Sequence, residues 1–232
     1  MKTLLVISTS MIICGMFCFF AYQKKGTDPV YIEPSKQRSG DAKTGYNYLI
    51  EGDYLKSGIP LSFFKMAYKG QNDDLGREGI NKNIPYSYNA VVANNGEQIV
   101  SPNCLQCHAQ ELDGKLILGL GNSLSDYTTD HSFTAKLLET FLKKGQGNEL
   151  KYEAAKNFIT SVKTISPFLV VGTKGVNLAD RLAALLVAHR DPKTLKWLED
   201  SRLPIYAEVI PTDVPAWWLL KKKNAMFYNG FG

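Results

Sequence analysis

Cysteine and histidine are scarce in this chain of 232 residues, which contains four cysteines and three histidines. Cys14 and Cys18 lie in an apolar N-terminal run, far from the other pair, Cys104 and Cys107. A structural zinc site usually takes its four ligands from two Cys/His pairs of similar spacing, and here the second pair is missing. Because Cys14 and Cys18 belong to the N-terminal run, no structural disulfide is expected in the rest of the chain.

A strong excess of charge of either sign is also lacking. The chain carries 27 Lys and Arg against 22 Asp and Glu, a formal net charge of +5. Lys2, Lys24 and Lys25 flank the N-terminal apolar run, so the remainder is close to neutral. The basic run at residues 221–223 is too short to bind a duplex by itself. These charges argue against nucleic acid as a partner.

The most informative segment is Cys104-Leu105-Gln106-Cys107-His108, because Cys-x-x-Cys-His is the attachment signal of a c-type haem. Two cysteines one helical turn apart can each bond to a vinyl group of the same porphyrin, and His108 can reach the iron as its proximal ligand. A thioredoxin-like redox pair would need a βαβ context and would not need His108. The motif therefore predicts one covalent haem c held by Cys104, Cys107 and His108.

No charged residue occurs between Lys2 and Lys24. Haem is attached to this motif outside the cytoplasm, so a c-type cytochrome needs an export element. Residues 4–22 are apolar and approach the roughly 20 residues that span a bilayer. We therefore expect residues 1–25 to be a signal peptide or a retained membrane anchor, with the haem domain in the periplasm or otherwise outside the cytoplasm. An uncleaved segment would hold the protein in the inner membrane.

The chain after this element divides into a polar tether, residues 26–40, and one cytochrome c-like haem domain, residues 41–232. Alternating apolar residues on both sides of Asn94-Asn95-Gly96 predict a short β-hairpin that leads into the motif. Glycines after the motif predict an apolar loop able to cover a porphyrin edge. Apolar residues then recur at helical spacing in three segments, residues 133–142, 150–162 and 177–190. The expected fold is mainly α, with a small β-hairpin before the haem motif.

The sequence does not decide which residue would be the sixth ligand of the iron. His189 lies on the apolar stripe of the third helical segment, where it could bind iron, hydrogen-bond within the core or cap the helix end. His131 lies in a polar string, and Met66 and Met226 are thioether candidates that could equally fill gaps in a core. A vacant sixth position is the state in which haem reacts with peroxide or dioxygen.

Three segments resemble the N-terminal half of bacterial di-haem c-type cytochromes: residues 101–108 (SPNCLQCH), 189–197 (HRDPKTLKW) and 213–228 (DVPAWWLLKKKNAMFY). That group is related to the di-haem cytochrome c peroxidases and includes rubber oxygenases. The resemblance begins near Tyr46 and continues to the end of the chain. It implies a second haem domain, but no second Cys-x-x-Cys-His is present, which predicts a chain shortened before that domain.

In the rubber oxygenase branch the N-terminal haem has an open face lined by aromatic residues. The resemblance therefore implies that Trp217 and Trp218 occupy that aromatic position, while a Trp pair before a helix is also ordinary core. Two functions follow. The first is electron transfer by one haem to a redox partner protein or a second haem domain, and the second is a peroxidase or dioxygenase half-domain with an open distal site.

Overall fold

The computed structural model describes residues 39–68, 75–206, 208–210, 212 and 214–222. The expected signal peptide or anchor, almost all of the expected tether, and Met226 lie outside these residues. No helix in the described part of the chain combines the length and the apolar character needed to cross a membrane.

The first part of the fold is a three-stranded antiparallel sheet with two short helices. Helix α1, Ala42–Glu51, begins where the Asp41 carboxylate accepts a hydrogen bond from the Thr44 backbone N–H at 2.7 Å. Strand β1, Ile59–Pro60, leads directly into helix α2, Leu61–Ala67. The predicted hairpin is confirmed: β2, Tyr88–Val92, and β3, Gln98–Pro102, pair antiparallel, and β3 lies between β1 and β2. Gly96 in its turn has a φ of 86°, which favours glycine.

A second hairpin follows the motif at once. The motif forms a one-turn helix α3, Leu105–His108, and strand β4, Ala109–Leu112, pairs antiparallel with β5, Lys115–Leu118. Leu112 lies opposite Lys115, so the two-residue turn is Asp113-Gly114, with φ values of 50° and 72°. Positive φ at both central residues is the property of a type I′ turn, which matches the twist of two antiparallel strands.

The prediction of a mainly α fold is therefore wrong. The described residues form a mixture of six α-helices and two small antiparallel sheets, and a strand borders the motif on each side. The segment expected to be an apolar loop, which includes Leu116, is largely strand β5, because Asp113 and Gly114 reverse the chain tightly enough for β4 and β5 to pair.

The three helical segments predicted after the motif are confirmed. They are α4, Ser132–Lys144, α5, Glu149–Ile165, and α6, Ala179–Ala188. Helices α4 and α5 pack together through Ala135, Leu142, Ala155 and Ile159. A short 3-10 helix, Trp217–Lys222, ends the described chain.

A small core cluster lies directly behind the motif. Leu105, within α3, is fully buried and packs with Ile50 from α1 and Ala109 from β4. Trp217 and Leu118 are partly buried and pack against the same cluster. The turn that carries the two cysteines is therefore attached to the body of the protein through Leu105.

Candidate functional site

The motif places both cysteines on the accessible side of one turn. Cys104 is exposed and Cys107 is half-buried, and the two thiols form no disulfide. Leu105, between them in sequence, points into the core instead. Because 3.6 residues make one helical turn, the i and i+3 positions of the two cysteines lie on the same face.

A buried polar network holds the start of this turn. The Asn103 side-chain oxygen accepts a hydrogen bond from the Leu105 backbone N–H at 2.9 Å. Its amide donates to the Tyr86 carbonyl at 2.8 Å and to the Asn89 side-chain oxygen at 2.7 Å. That same Asn89 oxygen accepts from the Arg77 guanidinium at 3.0 Å. Arg77, Asn89 and Asn103 thus connect the first residue of α3 to strand β2.

The other end of the turn is held by the chain that follows β5. A short helix leaves its last carbonyls without partners inside the helix. The Gly119 N–H donates to the His108 carbonyl at 2.7 Å, and the Asn122 N–H donates to the Cys107 carbonyl at 2.9 Å. The Asn122 side-chain amide donates to the Gln106 carbonyl, also at 2.9 Å. All three carbonyls are satisfied, so both ends of the turn are fixed.

The His108 imidazole packs against Trp217. The two ring centroids lie 4.6 Å apart and the ring planes make an angle of 30°. His108 Nδ1 is buried and has no hydrogen-bond partner among the residues that the structure describes. Burial lowers the pKa of His108, which favours the neutral imidazole that metals bind.

Two tyrosines lie close enough to the thiols to interact with them electrostatically. Burial raises the pKa of Tyr54 to about 12, with a smaller contribution from the nearby Cys104. Burial also raises the pKa of Tyr127 to about 12, again with a smaller contribution from Cys107. The pKa of the Cys104 thiol is itself raised, chiefly by burial. Both tyrosine hydroxyls and the Cys104 thiol are therefore protonated at neutral pH.

These residues fit the attachment of haem c. Cys104 and Cys107 lie on one accessible face, three residues apart as in the attachment motif of haem c. Because His108 Nδ1 is buried, Nε2 is the ring nitrogen left for an iron ion. Partly buried Leu49, Leu75, Tyr86, Leu116, Leu118 and Trp217 supply apolar surface around the core cluster behind the turn.

Of the other predicted site residues, Trp217 packs on His108, whereas His189 makes its described contacts elsewhere. His189 is 3% exposed at the end of α6, its Nδ1 lies 3.0 Å from the Leu198 carbonyl, and its ring stacks on Trp197. None of these contacts joins it to His108, and its role as an iron ligand stays a prediction. Exposed residues include His131 before α4, Met66, which is 63% exposed on α2, and Trp218, which is 64% exposed.

Sequence reasoning missed the residues that hold the turn. Arg77 lies in a segment rich in Gly, Asn and Asp that predicts a surface connection, yet it is only 4% exposed. One local signal was present: Asn103 precedes Cys104, and asparagine readily bonds the backbone N–H two residues further on. Nothing local indicated Asn89 or Asn122, because their partners are distant in sequence.

Comparisons of this chain with protein-family models, with curated proteins and with solved structures found no match.

Proposed function

We propose that this protein is an exported c-type cytochrome that binds one covalent haem and transfers electrons. The arrangement of one turn supports this proposal most. Its two accessible thiols lie on the same face, and because His108 Nδ1 is buried, Nε2 is the nitrogen left to bind iron. The uncharged N-terminal stretch supports export to the periplasm, with residues 4–22 as signal or inner-membrane anchor.

Cys104 and Cys107 would hold the porphyrin through two thioethers. At each cysteine the S–H bond would add across one vinyl double bond, with the sulfur on one carbon and the hydrogen on the other, so no net oxidation or reduction would be required. The hydrogen bonds at both ends of the turn hold the backbone that carries the two cysteines.

The bound group would supply one-electron exchange between ferric and ferrous iron. The protein's part is to hold His108 Nε2 as the proximal ligand and to limit access of water on that side. Trp217, Leu116 and Leu118 contribute apolar surface there, and such a shell tunes the reduction potential. The partner would be a redox protein or a second haem domain that docks near the accessible face of the turn.

The position of Trp217 favours electron transfer over a peroxidase or dioxygenase half-domain. A ring packed on the imidazole that would hold the iron would belong to the proximal side of the site, together with His108. Trp217 has this position, and the enzymatic alternative needs aromatic residues on the opposite side. Trp218 is 64% exposed, and among the described residues its ring does not contact the ring of His108.

The test is to export the chain in a host that matures c-type cytochromes and to measure haem that resists denaturation, by its pyridine haemochrome spectrum. We expect one haem per chain in the wild type and none after the double change Cys104→Ser, Cys107→Ser. The matched control, Cys14→Ser with Cys18→Ser, should keep its haem. Covalent haem that survives loss of Cys104 and Cys107 would refute the proposal.

Spectra of the same protein separate the two functions. An electron carrier should show a low-spin spectrum in both oxidation states that carbon monoxide leaves unchanged, because its sixth position is filled. A high-spin component that binds carbon monoxide readily would favour peroxide or dioxygen chemistry instead. Replacing His108 with Ala should disturb the spectrum in either case.

A further inference from the structure

We propose that Trp217 is a positioning residue that fixes the rotation of the His108 imidazole about its bond to iron. This inference rests on the proposed binding of haem c. It assigns to an aromatic contact the role that a hydrogen bond from the second ring nitrogen usually has. A histidine bound to metal normally donates that N–H to a carboxylate, a carbonyl or water, which sets both its orientation and its basicity.

The first observation is that no described residue accepts this hydrogen bond. His108 Nδ1 is buried and has no hydrogen-bond partner within the described part of the chain. A buried N–H without an acceptor costs free energy, so such a group calls for a reason. Among these residues, no hydrogen bond to Nδ1 restrains rotation of the ring.

The second observation is that Trp217 provides the missing restraint. Its ring lies 4.6 Å from the His108 ring, centroid to centroid, with 30° between the planes. Rotation of the imidazole about the bond from iron to Nε2 would drive a ring edge into the indole. Packing against an aromatic face therefore restricts the rotation without accepting the Nδ1 proton.

Backbone hydrogen bonds connect Trp217 to the motif through Gly119. The backbone N–H of Trp217 donates to the Gly119 carbonyl at 2.8 Å, and the backbone N–H of Gly119 donates to the His108 carbonyl at 2.7 Å. Gly119 has a φ of 82°, and a Cβ at this position would lie 3.3 Å from the Trp217 Cβ. Glycine thus permits both the backbone turn and the close approach. His108, Gly119 and Trp217 form one connected unit.

This arrangement has an electronic consequence. An imidazole whose second nitrogen donates no hydrogen bond carries less negative charge, so it donates less electron density to iron. Weaker donation favours the ferrous state. Removal of the indole would admit water to Nδ1 and supply the missing acceptor. The reduction potential should then become lower, and the imidazole should occupy several orientations.

The experiment compares Trp217→Leu and Trp217→Phe with the matched control Trp218→Leu, all as exported holoproteins. We expect Trp217→Leu to lower the reduction potential and to broaden the low-spin EPR signal, while Trp217→Phe retains the wild-type line shape. Trp218→Leu should match the wild type, because Trp218 is 64% exposed. A Trp217→Leu holoprotein with unchanged potential and EPR signal, or equal changes in Trp218→Leu, would overturn the inference.

If the Trp217→Leu variant fails to take up haem, a measurement on the wild-type protein still tests the inference. In the reduced, diamagnetic holoprotein, or its carbon monoxide adduct, nuclear Overhauser contacts should join the Trp217 indole to the His108 ring. Their absence would overturn the inference. Failure of the proposed function has a different signature, because the wild type would then contain no covalent haem at all.

Discussion

At the scale of single residues, Arg77 has more hydrogen-bond acceptors around its side chain than any other described residue near the candidate site. Arg77 is 4% exposed, and five acceptors among the described residues lie 2.6–3.1 Å from its guanidinium nitrogens. The acceptors are the carbonyls of Ile50, Tyr88, Ile84 and Pro85 and the side-chain oxygen of Asn89. Through Asn89 and Asn103 this one residue supports the backbone of the turn that carries Cys104 and Cys107.

Replacing Arg77 with Met should lower the free energy of unfolding by roughly 3 kcal/mol, because several buried acceptors would lose their donor and regain no water. Urea unfolding followed by circular dichroism measures the change. Arg202→Met is the matched control: Arg202 is exposed and donates one hydrogen bond of 3.3 Å, so its replacement should cost less than about 0.5 kcal/mol. Equal effects of the two changes would contradict the structural role of Arg77.

At the scale of secondary-structure elements, Glu139 joins helices α4 and α5. One carboxylate oxygen lies 2.7 Å from Lys143 Nζ within α4, and the other lies 2.6 Å from Lys163 Nζ on α5. The Glu139 side chain is 18% exposed. Hydrogen bonds from Lys143 and Lys163 lower the pKa of Glu139 to about 2. The ionised carboxylate is therefore favoured by folding.

Because folding lowers this pKa, the contribution of Glu139 is complete above its ordinary pKa of 4.5 and disappears as the pH falls toward about 2. Glu139→Gln should thus lower the free energy of unfolding by about 1 kcal/mol at pH 7. The gap between variant and wild type should shrink from pH 4.5 to pH 2, as measured by urea unfolding at several pH values.

The matched control for this pair is Glu153→Gln on α5. Glu153 is 55% exposed and pairs with Lys156 within the same helix, so water screens its charge. We expect no measurable change at any of these pH values. A pH-independent effect of Glu139→Gln would mean that the two lysines do not stabilise the carboxylate.

At the scale of the whole described unit, the three-stranded sheet and helix α5 share a core. Val91, Ala93 and Ile99 from the hairpin region pack with Ala154 of α5. The Ser57 hydroxyl donates to the Ala154 carbonyl at 2.6 Å and accepts from the Phe158 N–H at 3.1 Å. Segments on both sides of the motif are therefore joined by apolar and polar contacts.

Replacing Ile99 with Ala should lower the free energy of unfolding by about 3 kcal/mol, because the Ile99 side chain is fully buried in this shared core. Near-ultraviolet and far-ultraviolet circular dichroism should still give one coincident unfolding transition. Val92→Ala is the control, since Val92 is 47% exposed on the neighbouring strand. Separate transitions for sheet and helices would show that they fold independently.

Local patterns explain which elements were predicted and which were not. Asn94-Asn95-Gly96 predicted the first hairpin because the turn depends on its own residues. Asp113-Gly114 carries an equally local hairpin signal, but Gly114, Gly119 and Gly121 taken together predict a loop. In α4, periodicity identified the helix but did not identify its buried face: Phe133 and Phe141 are 67% and 66% exposed, while Ala135 and Leu142 face α5.

The spacing of Cys104, Cys107 and His108 and the hairpin turn before them can be predicted from the sequence, because both depend on residues adjacent in the chain. The surroundings of the turn that carries the two cysteines depend on tertiary packing. Trp217 packs on His108 from far along the chain, and Arg77, which lies in no helix or strand, reaches Asn89 on β2. Such contacts depend on how separate elements pack, and no periodic pattern or short motif encodes which distant residues will meet.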